Sequence, residues 1–196
     1  MFGDIELGSE FFEKLMAADE AIRARVAAAG CGHCGGPLHR SDYDRKPRGG
    51  RVAAGAEAFV RRFSLCCGRE GCRRRAMPPS LRFLGRRVYV GAVVMLTSVV
   101  SMALTSARAC QRATGIAART TRRWARWWRE GFVATAVFAQ LAAQVIGLDR
   151  RRLPVCLLEA VAAAPADAAV RTVLSWLAPL TTTSVVEGSR FVRGAV

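Results

Sequence analysis

Two pairs of cysteines set the strongest limit on how this chain can fold. Cys31-Gly-His-Cys34 runs straight into Gly35, Gly36 and Pro37, and a second pair, Cys67-Gly-Arg-Glu-Gly-Cys72, closes a polar segment rich in Gly and Arg. Glycines after closely spaced cysteines let backbone amides turn towards thiolate sulfurs, the signature of a zinc knuckle. The segment has little apolar surface to bury, so four thiolates closing a tetrahedral zinc site would supply folding energy it cannot obtain otherwise. The expected ligands are Cys31, Cys34, Cys67 and Cys72. Cys66 is the alternative to Cys67 but would lengthen the second loop; it is expected instead to point into the core as a buried thiol. His33 and His39 are further alternatives, and His33, inside the first knuckle, reads as a polar surface residue. With a glycine- and arginine-rich loop at 46–51 and a strand at 58–65 running into the second pair, the layout predicts a small β zinc ribbon.

Charge narrows the choice of partner. The chain of 196 residues carries a formal charge of +15, and its 30 bases include only two lysines, Lys14 and Lys46. Residues 1–20 hold six acids against Lys14, whereas residues 21–130 hold 23 bases against five acids, an excess of 18. Such self-repulsion is costly unless a polyanion neutralises it, which points to nucleic acid. The acidic start lacks the basic and apolar regions of a secretion signal, and seven cysteines are an odd number, so a disulfide framework is disfavoured and a cytoplasmic, nucleoid-associated protein is expected.

Residues 105–130 read as two short helices punctuated by Gly115, the outline of a helix-turn-helix. At about 100° per residue, Arg119, Arg122, Arg123 and Arg126 share one face of the second helix, while Trp124, Trp127 and Trp128 cluster on another. Arg119, Thr120, Arg122, Arg123 and Arg126 are the expected DNA contacts, joined by Arg73, Arg74 and Arg75 beside the second knuckle, because the arginine fork fits both phosphate and guanine edges.

The stretch 88–107 competes with this reading, since its 20 residues are uncharged and flanked by arginines. That is long enough to cross a bilayer. With a second uncharged stretch at 131–148, the alternative is a membrane-embedded helical hairpin around an arginine-rich loop. Against it, 88–107 contains Thr97, Ser98, Ser101, Thr105 and Ser106, and a helix enclosed by neighbours can be apolar nearly all round.

The expected organisation is mainly α with a small β zinc ribbon: an acidic helix in 1–30, ending at Gly30, a ribbon at 31–80, a helix-turn-helix domain at 81–130 and a helical region at 131–196. Phe12, Leu15, Met16, Ile22 and Val26 space the first helix. Pro78-Pro79 marks a linker. Helices around 154–164 and 166–177 carry an apolar stripe for packing or homo-oligomerisation, and the end from Thr181 is expected to fray.

The order of parts, a Cys-x-x-Cys knuckle, then Cys-Cys-Gly-x-x-Gly-Cys-Arg-Arg-Arg, Pro-Pro-Ser, and Arg-Thr-Thr-Arg-Arg-Trp in a helix-turn-helix, resembles bacterial insertion-sequence proteins over roughly residues 30–130. The resemblance implies a zinc ribbon and a homeodomain-like helix-turn-helix that bind transposon DNA, with zinc as cofactor and a separately encoded transposase as partner. Only Glu130, Asp149, Glu159, Asp167 and Glu187 are acidic after residue 129, and no His-x-Glu motif occurs, so the expectation is an accessory DNA-binding protein and not an enzyme.

Overall fold

The computed structural model describes residues 8–44, 59–84, 89–104 and 106–181. The expected 46–51 loop, Ala58, Arg86, Arg87, Thr105 and the tail beyond Thr181 lie outside the described residues, and the rest of the expected 58–65 strand is broken at Phe63-Ser64 into two short strands, Arg61–Arg62 and Leu65–Cys67. Within them the chain is mainly helical with small antiparallel sheets.

Helix α1 spans Ser9–Ala29 and ends at Gly30, whose positive φ of 75° glycine accepts without strain. Phe11, Phe12 and Leu15 bury its apolar side. Of the acids on this helix Asp19 is buried, 1% exposed. Its carboxylate accepts from Ser80 Oγ at 2.5 Å, the Leu81 amide at 2.6 Å and Arg82 Nε at 2.8 Å. Arg82 in turn donates to the Phe59 carbonyl at 2.7 Å and lies over the Phe63 ring at 4.5 Å. One turn on, Arg23 donates to Asp42 at 2.6 Å, and Glu20 accepts from Arg40 at 3.1 Å. Helix α1 is thereby bonded to both the cysteine-bearing segment and the start of the helical body.

The sheets are short. Strands β1 (Leu38–Arg40), β4 (Leu65–Cys67) and β5 (Arg75–Ala76) form one antiparallel sheet in the order β1-β4-β5, and β2 (Tyr43–Asp44) pairs with β3 (Arg61–Arg62). A last hairpin, β6 (Phe83–Leu84) with β7 (Tyr89–Val90), leads directly into the helices. The Pro78-Pro79 pair read as a linker is buried, with the Pro78 carbonyl accepting from Arg62 at 2.6 Å and the Ser80 amide donating to Thr181 Oγ1 at 3.0 Å. Proline there fixes a packed extended segment and not an exposed boundary.

Helix α2 (Gly91–Ala103) is the centre of the helical body, touching α3 (Ala107–Thr114), α4 (Ala118–Arg126) and α7 (Ala166–Leu177). Enclosure on several sides explains its apolar circumference. It stops at Leu104, whose extended backbone turns the chain away, and α5 (Ala136–Gln144) is shorter still. Among the described residues no helix is long and apolar enough to cross a membrane, so the two uncharged stretches do not form spanning helices. The C-terminal stripe packs inwards: Leu157, Leu158, Val170, Val173, Leu174 and Leu177 are buried beside α6 (Val155–Glu159) and α7. One apolar cluster takes side chains from Phe11 to Ala178, so the segments 1–30, 81–130 and 131–196 share a core.

The buried Asp19–Arg82 pair yields a stability prediction. Asp19→Asn keeps the shape but leaves a buried guanidinium without its counter-charge, and should cost about 3–5 kcal/mol in urea unfolding. Replacing both partners with apolar residues of similar volume should recover much of that loss. A change below about 1 kcal/mol in the single variant would show that the pair does not tie α1 to the rest.

Candidate metal centre and basic helix face

The cysteine site is assembled by two turns. After Gly30 the chain folds over itself, the Cys31 amide donating to the Gly36 carbonyl at 2.9 Å and the Gly35 amide to the Cys31 carbonyl at 2.7 Å. A Cβ at Gly36 would stand 3.2 Å from Cys67 Sγ and 3.3 Å from Cys34 Sγ, so a larger residue would push against both sulfurs. The second turn begins on β4, where strand alternation buries Leu65 and Cys67 and sends Cys66 to the opposite face. It reverses through Gly71 at φ 82° and Arg73 at φ 44°. The Arg69 carbonyl accepts from the Cys72 amide at 3.1 Å, and the Arg69 guanidinium donates to the Cys34 carbonyl at 2.9 Å, tying the two turns together.

The sulfurs of Cys31, Cys34, Cys67 and Cys72 all lie within 4.8 Å of one another. Cys31 to Cys72 is 3.8 Å and Cys34 to Cys67 is 3.5 Å. A tetrahedron with metal–sulfur bonds of about 2.3 Å has edges of about 3.8 Å, so these separations suit one soft divalent ion. They are too long for disulfides, and all seven cysteines are free thiols.

Electrostatics within the cluster favour a cation. The amides of His33 and Cys34 pull the Cys31 thiol down to about 6. At Cys67 the Arg69 amide also lowers the pKa, but burial and the neighbouring thiols outweigh it and push Cys67 up to about 12. Cys72 is raised in the same way, its own amide partner at Arg74 being outweighed by burial and by Cys34 and Cys31. One thiolate therefore forms readily and opposes the others, and a divalent ion reverses that opposition.

The remaining candidates separate clearly. His33 and His39 are exposed and stand outside the cluster. Cys66 is not the buried core thiol expected of it: it is half-buried beside His39 and Arg75 in the sheet register, with the Arg73 carbonyl 3.4 Å away. Cys110 and Cys156 are the buried thiols, and burial raises Cys156. Arg69 was not singled out from sequence, though it sits inside the second cysteine motif.

The basic residues divide into two populations. Arg23, Arg62 and Arg82 are buried, so the run leading from the second knuckle through Arg82 is not wholly available to a polyanion. Arg73, Arg74 and Arg75 are exposed on the turn into β5, and Arg75 reaches Ser41 Oγ at 3.4 Å and lies 5.3 Å from the Tyr43 ring.

On α4 the arrangement is one-sided. Arg119, Arg122, Arg123 and Arg126 are exposed and Thr120 is half-buried, while Thr121, Trp124 and Trp128 are buried on the opposite side. Helix α3 begins with Ser106, whose side chain caps the Ala109 amide, and ends at Gly115, left-handed at φ 69°, so three residues separate it from α4. Residues 127–132 continue α4 as a π-turn. More than four residues per turn keep Trp124, Trp128 and Phe132, four apart, facing inwards. They are 3%, 1% and 0% exposed, and Trp128 Nε1 donates to Ser98 Oγ on α2 at 3.0 Å. Trp127 is half-buried and packs on Trp128 at 4.7 Å between ring centres.

No protein-family model matches the chain, and neither a curated protein nor a solved structure matches it.

Two predictions follow from the sulfur geometry and the tryptophan anchor. The chain should bind one equivalent of Co2+ with the absorption of a tetrahedral thiolate site, and Cys67→Ser with Cys72→Ser should abolish it. Binding must displace thiol protons, among them those raised at Cys67 and Cys72, so affinity should rise steeply from pH 6 to 8, and acid should release the metal. Trp124→Ala should lower stability by about 3–5 kcal/mol in urea unfolding, whereas Arg122→Ala should change it by less than about 0.5 kcal/mol.

Proposed function

We propose that this chain is a DNA-binding protein of a mobile genetic element, in which zinc staples a ribbon at residues 31–80 and α3, its turn and α4 act as a helix-turn-helix. The observation that carries the reading is the two-sidedness of α4: three arginines, Arg119, Arg122 and Arg126, are exposed without an ion-pair partner among the described residues, while Thr121, Trp124 and Trp128 fix the other side in the core. A rigidly held basic helix can enter a groove without losing its fold. Arg123 and Thr120 flank the same surface, and Arg73, Arg74 and Arg75 add positive charge on the ribbon.

Zinc is the metal proposed because four thiolates at tetrahedral spacing close its coordination shell and leave no position for substrate, a structural role. No residue is assigned a catalytic role. Association with a transposase rests on the order of motifs along residues 30–130, and a transposase gene beside this one would support it.

A binding titration on duplex DNA with zinc-loaded protein tests the reading. Affinity should fall as salt rises, and Arg126→Ala should reduce the salt slope by about one unit. Failure to bind any duplex at low salt would remove the proposal.

A further inference from the structure

The exposed face of α4 is unusual in what it leaves out. The helix reads Ala118-Arg-Thr-Thr-Arg-Arg-Trp-Ala-Arg126 and contains no Asn, Gln, Asp or Glu. Arg119, Arg122 and Arg126 fall within about 60° of one another around the axis, opposite the buried Thr121 and Trp124. From Arg119 to Arg126 the helix rises about 10 Å, the length of about three base pairs, and the major groove, about 12 Å wide, admits one helix. The amide Gln111 belongs to α3, before the turn.

Base edges in that groove differ in donors and acceptors. Guanine offers two acceptors, O6 and N7, which match the paired N–H groups of a guanidinium. Adenine offers one acceptor beside a donor, cytosine a donor, and thymine a single acceptor with a methyl group. Arginine has five donors and no acceptor, so it cannot satisfy adenine's or cytosine's amino group. A bidentate contact to adenine needs Asn or Gln and a carboxylate contact to cytosine needs Asp or Glu, and α4 has neither; Thr121 is buried, and Thr120, half-buried, offers a single hydroxyl.

Resting on the DNA-binding reading above, we infer that α4 selects guanine: Arg119 and Arg122, in its N-terminal half, each donate two hydrogen bonds to O6 and N7 of a guanine, and the target holds guanine at two or more of about three consecutive base pairs. Arg126, further along the helix, lies towards the phosphates. The N-terminal end of the second helix is the part that meets base edges in this docking mode. Duplexes of A·T alone then offer these two arginines no two-acceptor base edge and are bound more weakly.

The test is selection of duplexes from a random library by the full, zinc-loaded chain, followed by titration of the enriched site with single guanines replaced by 7-deazaguanine. That base keeps its pairing and charge but loses the N7 acceptor. Guanine should be enriched, 7-deazaguanine at a contacted position should weaken binding by about fivefold or more, and Arg122→Gln should move the preference at one position from guanine to adenine. The inference is overturned by an A·T-rich or flat selection, by full affinity for all 7-deazaguanine sites, or by an Arg122→Gln variant with unchanged preference. Each of those results leaves general DNA binding standing, whereas no binding to any duplex at low salt removes the DNA reading and the guanine inference together.

Discussion

A carboxylate enclosed by protein must be neutralised and hydrogen-bonded, and Asp19 meets both requirements at one place in the chain, the 80–82 segment. Because Ser80, the Leu81 amide and Arg82 converge on it, the path from the cysteine sheet to the β6–β7 hairpin is fixed against α1. Arg82 extends the constraint to the Phe59 carbonyl and the Phe63 ring, and Arg23, lying 4.2 Å above the same ring, carries it to Asp42. Asp42 also accepts from the Ser64 amide at 3.0 Å. Breaking any one partner strands a charge in a low-dielectric interior, so the network specifies a single arrangement more strongly than its net energy suggests.

The cysteine cluster and the basic helix face obey the same logic of support from behind. At the cluster, Gly36 and Arg69 bring two turns close enough for four sulfurs to share one ion. On α4, the π-turn and the Trp128–Ser98 hydrogen bond hold aromatic rings in the core, so that Arg119, Arg122 and Arg126 are left exposed on the other side. The chain thus keeps its charged surface and its packing on separate sides of one helix.

Much of this was legible in the residues. The extents of α1 and α7, the stop at Gly30, the Gly115 break and the pairing of Cys67 rather than Cys66 with the first knuckle followed from periodicity, glycine and loop length, all local properties. The misread elements share a cause. Pro78-Pro79 has the composition of a linker, Arg82 looks like one more base in a basic run, and Cys66 and Cys67 are adjacent. Whether such a residue faces water or the core depends on what packs over it from elsewhere in the chain.

The sequence by itself therefore determined which segments become helices, which cysteines are spaced to share a metal, and which face of α4 is basic, because helix period and strand alternation are set by neighbours a few residues apart. Tertiary structure alone decided which charges are buried. Asp19 lies more than sixty residues from Arg82 in sequence, and a buried charge is tolerable only where a counter-charge and donors arrive from such a distance. It also decided that much of helix α2 is core: α2 is covered by α3, α4 and α7, and that cover is invisible in the hydropathy of α2 itself.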